Sequence, residues 1–283
     1  MVITKSFNYE EVLGIKFGYQ ILGLPTLFTH IYFVDGLLID TGQSNAKEKI
    51  LAETKKLDIK QIFITHHHED HTGNITGLQK QHNCKVFASN LCCQMMKNPP
   101  KISLAQKITW GNRPSQNHLS PIAESIETDN LSFQLIPIAG HASDMVALYE
   151  PSKKWLFSAD LYINSYIDYF LENESILEQI NSIKRILELD FEVMFCGHKP
   201  QLTNPKEKLN KKLNFLESSF NDVSTLYEKG YSANQIFKKL NLKENWFVRI
   251  LSNGNLSKLN MIKSIVRDLE NQKANSDYLY ERK

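Results

Sequence analysis

IFITHHHEDHTGN, residues 62–74, places four of the chain's nine histidines and two acids directly behind an apolar run. Ile62–Ile64 read as a short strand, and the histidines begin where it ends. In extended chain, alternate side chains point the same way, so His66 and His68 can reach one point. His67 then points elsewhere and is not read as a ligand. Asp70 and His71 start the next turn, ahead of Thr72-Gly73-Asn74, where a helix can begin. A lone histidine on a strand is usually packed or solvated, and His30, His82 and His118 are read that way. Four within six positions are different. Unpaired, they would repel when protonated and cost desolvation when neutral. Imidazoles beside a hard carboxylate suit zinc, iron or manganese.

The segments around the cluster alternate. HIYFVDGLLIDTG has two apolar runs about Asp35-Gly36, a strong hairpin signal. SNAKEKILAETKKL has helical spacing, with Ser44 or Asn45 as its expected N-cap. NITGLQKQHN then reads as a helix and CKVFAS as a strand, so the cluster lies on a loop in a β–α–β–α–β rhythm. Residues 92–130 give no clear pattern, and Pro99-Pro100 breaks them. Beyond, three candidate ligands each stand at the end of an apolar strand. His141 follows FQLIPIAG, Asp160 follows KWLFSA and His198 follows FEVMFCG. Gly140 and Gly197 precede the two histidines and let the backbone approach closely. Pro151-Ser152-Lys153 predicts a hairpin turn before Trp155.

Bulk properties restrict the classes. The 283 residues are 42% hydrophobic and 23% charged, a globular balance with net charge +2. Residues 204–283 carry 15 Lys and Arg against 9 Asp and Glu, a balance of +6, which leaves 18 against 22 in residues 1–203. The division expected is therefore 1–203 and a basic helical 204–283, with Trp246, Phe247 and Leu251 in the core of the smaller part. Four cysteines without a C-x-x-C point to free thiols in a reducing compartment. An acid-bearing N-terminus without an apolar h-region and the lack of any membrane-length apolar run predict a cytoplasmic protein that does not engage a membrane.

THHHEDHTGN, IPIAGHASDMVALYE, WLFSADLY and VMFCGHKP, in this order over roughly residues 20 to 200, together resemble the metallo-β-lactamase superfamily. The resemblance implies an α+β fold, a four-layer αββα sandwich with a two-metal site at one edge. The C-terminal helical unit resembles two arrangements, the substrate-binding helices of glyoxalase II-like enzymes and the winged-helix-like end of a lactamase-fold endoribonuclease. The H-x-H-x-D-H signature stands as His66, His68, Asp70 and His71, and the later ligands as His141, Asp160 and His198. By the family pattern His66, His68 and His141 hold one divalent ion, and Asp70, His71 and His198 hold the other. Asp160 bridges the two. Zinc is the first expectation, with iron and manganese also accepted by such ligands.

The implied activity is hydrolysis by a metal-bridging hydroxide, with Asp70 taking or orienting a proton. The family's flavodiiron oxidoreductases carry a glutamate where His68 stands here, and its antibiotic-cleaving members lack the bridging aspartate. The full ligand set is similar to glyoxalase II-like hydrolases, lactonases and nucleases. A small-molecule ester, thioester or lactone is thus the expected substrate, with Tyr162, Tyr166 and Lys199 as candidate substrate contacts. Three readings rank below it. They are a single-strand endoribonuclease gripping nucleic acid through the basic tail, a metal-binding regulatory protein with little turnover, and a persulfide-oxidising enzyme with a single iron. A homodimer is compatible with all of them. Aromatics do not interleave with the basic residues of the tail, so a solvated lysine-rich face is favoured over RNA binding.

Overall fold

A computed structural model describes residues 1–21 and 26–280. The chain packs as two units, 1–138 with 143–163 and 190–205, and 139–142 with 164–189 and 206–283. The second unit thus gathers a four-residue loop and the segment 164–189 as well as the tail.

The first unit is built on two sheets. One takes β1 (Val2–Tyr9), β2 (Val12–Tyr19), β3 (Phe28–Val34), β4 (Leu37–Ile39), β5 (Gln61–Ile64), β6 (Lys85–Ala88) and β7 (Ser120–Pro121) in chain order. β1 to β4 pair antiparallel and β4 to β7 parallel. The other contains β8 (Ser125–Glu127), β9 (Ser132–Pro137), β10 (Val146–Glu150), β11 (Trp155–Ala159) and, parallel beside β11, β13 (Val193–Cys196). The β3–β4 hairpin turns at Asp35-Gly36, both at positive φ, as a type I′ turn requires. The β10–β11 hairpin closes over residues 151–154.

Strand alternation sorts the apolar side chains into two layers. Leu37, Ile39 and Phe63 face the second sheet, where Phe133, Leu148, Phe157 and Phe195 meet them. Leu38, Ile62, Ile64 and Val86 point the other way. There they pack on Ile50 of α1 (Lys47–Thr54), Leu78 of α3 (Ile75–His82) and Met96 of α4 (Asn90–Lys97). α2 (Glu69–Thr72) is one turn within the histidine cluster itself, and α5 (Leu104–Trp110) lies within the stretch 92–130. Ser44 and Asn45 do not cap α1. They form a 3₁₀ turn instead, and their side chains bond residues 109–112.

The second unit comprises α6 (Ile176–Leu187), α7 (Pro205–Glu228), α8 (Ala233–Lys239), α9 (Trp246–Leu251) and α10 (Lys258–Tyr280), with a two-stranded sheet of β12 (Phe170–Leu171) and β14 (Leu256–Ser257). Its buried positions are Ile236, Leu259, Ile262 and Ile265, among others. Trp246 and Phe247 are not in that core. Each is 62% exposed, and Leu251 is exposed too. α9 is a six-residue helix with no buried position, and α10, packed on α6 and α8, supplies the apolar seam instead.

All four thiols are free. No helix among the described residues is long and apolar enough to cross a membrane.

Candidate metal centre

The first unit carries its site at strand ends. His66 follows β5, Asp160 follows β11 and His198 follows β13, so both sheets deliver donors to one edge. β11 is irregular just before Asp160. Its register with β13 shifts between Phe157 and Ala159, and Ala159 sits at φ +45°. This left-handed residue turns the chain so that the next side chain reaches the edge. Gly197 donates its N–H to the Ala159 carbonyl at 2.8 Å. A Cβ on Gly197 would strike the Asp160 carboxylate and the His71 ring.

Asp70, His71, Asp160 and His198 bring one ligand atom each to within 4.8 Å of one another. His66, His68 and Asp160 do the same, so Asp160 belongs to both sets. Donors about 2.1 Å from a single ion are spaced on this scale. Asp160 Oδ2 lies 3.1 Å from His198 Nε2 and Oδ1 lies 3.4 Å from His71 Nε2. Asp70 Oδ2 lies 3.4 Å from His198 Nε2 and 3.7 Å from His71 Nε2.

The far ring nitrogens are fixed from behind. His71 Nδ1 donates to Asp40 Oδ2 at 2.7 Å, and His198 Nδ1 donates to the Phe28 carbonyl at 2.7 Å. Each bond selects the tautomer whose Nε2 lone pair faces the carboxylates. Asp40, itself at φ +63°, also accepts from the backbone N–H of Thr65 at 2.9 Å, and Thr65 Oγ1 lies 3.0 Å from His66 Nδ1. One carboxylate therefore braces two histidines. Thr29 Oγ1 donates to Asp70 at 3.2 Å.

The electrostatics suit a cation. Burial would lower the His71 pKa, but Asp160, Asp40 and Asp70 carry it well above the usual histidine value. Burial also opposes charge on His198, yet Asp160 and Asp70 lift it to about 9. For Asp160 burial is outweighed by His198 and His71, which hold it well below the carboxylate range. A divalent ion satisfies the same carboxylates and takes the place of those protons. His71 Nε2 is buried without a hydrogen-bond partner among the described residues. A buried nitrogen aimed at two carboxylates is what a ligand site requires. Imidazole and carboxylate together fit zinc, iron or manganese.

The other expected residues fall as follows. His67 is buried in neither donor set, with Nδ1 on Asp144 Oδ1 at 2.8 Å and its backbone N–H on Oδ2 at 2.9 Å. His141 lies on the loop 139–142 of the second unit, where Nδ1 pairs with Glu174 at 3.1 Å and Gln179 bonds the same carboxylate. Tyr162 is buried, and Tyr166 is exposed with its ring edge on Phe215. Lys199 is exposed. His30 is buried, bonds the Gly197 carbonyl and is pushed down to about 4 by burial. His82 is half-buried and His118 exposed.

Asp40, Asp144 and Glu174 were not among the expected site residues. Asp40 carries the signal that marks Asp160, an acid just past an apolar run, in LLIDTG. Asp144 and Glu174 have no comparable pattern around them.

The family profile described as Metallo-beta-lactamase superfamily matches residues 24–198. This chain belongs to the metallo-β-lactamase superfamily. Among curated superfamily relatives, a hydroxyacylglutathione hydrolase of Legionella pneumophila (strain Lens) is 26% identical over 185 residues, 64% of this chain and 64% of that one. The chain thus spans a little under two thirds of that relative's length. The solved metallo-beta-lactamase from Pontibacter korlensis superposes with a TM-score of 0.62 at 20% identity, covering 76% of this chain and 99% of its own. A beta-lactamase domain protein from Burkholderia ambifaria gives 0.67 at 13% identity, covering 92% and 87%. At those identities the two structures speak for the fold, the α+β metallo-β-lactamase architecture.

Proposed function

We propose that this superfamily member is a dinuclear metal-dependent hydrolase acting on a small ester, thioester or lactone. The observation that carries the reading is the sharing of Asp160 between two donor sets. His141 is the further ligand of the set that holds His66 and His68. Its Nδ1 is engaged by Glu174, which assigns coordination to Nε2. Two bound divalent ions would supply an acidified water and polarise the acyl oxygen under attack. Asp160 holds the two sets in fixed relation. Asp40 keeps the His71 ring oriented, and Asp70, steadied by Thr29, orients the attacking water and accepts its proton at the carboxylate. Lys199, next to His198 and exposed, is the substrate-side cation of this reading. The hydroxyacylglutathione hydrolase similarity favours a thioester within the class.

The basic balance of residues 204–283, 15 cations against 9 acids, supports single-strand nuclease activity as the second reading. A paired turnover assay separates them. Zinc-loaded protein is offered thioesters, esters and lactones beside labelled single-stranded RNA, with Asp160→Ala as the control. Acyl hydrolysis alone, lost in the variant, is the expected result. RNA cleavage alone overturns the leading reading in favour of the second. Two tightly bound ions with no turnover of either kind would make the chain a binding protein.

A further inference from the structure

A cleft of about 430 Å³ opens in the first unit between residues 99–102 and 112–114. Lys101, Lys107 and Arg113 line it with Asn112, and no lining residue is acidic. The remaining lining is apolar, including Ile102 and Pro114.

The cleft is a built feature. The Arg113 side chain is only 3% exposed. Its Nη2 donates to the Pro100 carbonyl, which ties the two arms together. Its Nη1 donates to the His67 carbonyl at 3.1 Å and pairs with Glu69 at 3.4 Å. Nε is buried with no hydrogen-bond partner among the described residues. The segment that joins Ile102 to Lys107 is held too. Ser103 and Gln106 form a capping box at the start of α5, and Gln106 donates to Glu69 at 2.9 Å. Gly111, at φ +90°, lets Asn112 reach back to Ser44.

Glu69 is the acid that pairs with Arg113, and it sits on the metal-loop side. Two exposed lysines therefore share the cleft with the buried Arg113 guanidinium, and no acid in the lining offsets the lysines. Like charges collected in a partly enclosed space raise the local potential and concentrate anions. A guanidinium with flanking ammonium groups is matched by an oxyanion of fixed shape.

We propose that this cleft is an anion-binding site, separate from the metal donors, for a small molecule with a phosphate monoester on an apolar body. The oxyanion meets Lys101, Lys107 and Arg113, and the body lies against Ile102 and Pro114. Nothing in this inference depends on hydrolysis at the metal centre.

The test is a binding titration of the zinc-loaded chain with phenyl phosphate and, separately, inorganic phosphate. Calorimetry gives the affinity, and emission of Trp110, three residues from Arg113, gives a local signal. Arg113 braces the metal loop and its loss could unfold the region, so the variant is Lys101→Gln with Lys107→Gln, both on exposed side chains. Saturable phenyl phosphate binding, roughly tenfold or more weaker in the variant at unchanged zinc content, is expected from losing two charge-assisted contacts. Equal affinity in both proteins would place the anion at the metals and overturn the proposal. Absence of saturable binding would overturn it as well. Inorganic phosphate binding as tightly as phenyl phosphate would overturn the assignment of the apolar lining.

Discussion

Asp40 belongs to neither donor set, yet His71, Thr65 and through it His66 depend on its carboxylate. Asp40→Asn keeps the shape and removes the charge. Metal affinity should fall about 10- to 100-fold while far-UV circular dichroism stays the same. Competition with a chromophoric chelator reads this directly, and an unchanged affinity would deny Asp40 its bracing role. His67 calls for a different expectation from the one its alternation alone suggests, which is that Ala there does little. It fills a buried pair of bonds with Asp144. His67→Ala should cost about 1–3 kcal/mol of stability, because Asp144 is left buried with fewer partners. Zinc content should be unaffected, and loss of an ion would return His67 to the ligand set. The strand-end rule that marks His141, Asp160 and His198 needs only apolar runs and their last residue, so it can be applied to a bare sequence. Asp40 carries the same marker, whereas Asp144 and Glu174 lack one.

At the scale of elements, the sequence is readable where a local residue pair demands one conformation and less so where long-range packing decides. The Asp35-Gly36 hairpin is the clear case, because its dipeptide demands positive φ at both residues. Gly36→Ala forces a Cβ into that region and against Lys60. It should cost roughly 1 kcal/mol, measurable as a shift in urea midpoint at constant slope. α6 had no counterpart among the expected elements although Ile176, Ile180, Ile183 and Ile186 recur at helical spacing. α4 and α5 lie beside Pro99, Pro100, Gly111 and Pro114, which punctuate residues 90–114. For α9 the error is of another kind. Apolar residues at helical spacing predict a core, but this six-residue helix buries none of its positions and leaves Trp246 and Phe247 outside. Periodicity shows that one face differs from the other, not that anything covers it.

For the whole molecule, the inter-sheet core and the metal edge should be separable. Phe63 lies in the core with Phe133 and Phe157. Phe63→Ala should cost about 3–5 kcal/mol, lowering the thermal midpoint of both the zinc-loaded and the zinc-free protein by a similar amount. Chelation should act on the edge instead. Removing the ions from a chain whose donors bind only in the folded state lowers its apparent stability by the binding free energy. The midpoint should therefore drop on chelation and rise with free zinc concentration, and a midpoint indifferent to both would refute the metal reading.

The donors are also spread in time. His66, His68, Asp70 and His71 leave the ribosome early, on the loop after β5, whereas Asp160 and His198 follow β11 and β13 of the other sheet. A nascent chain that has made only the first group presents imidazoles without their shared carboxylate and can hold an ion only loosely. Under the dinuclear reading the complete donor set exists only once the second sheet has been made, so selection among ions would wait on the fold.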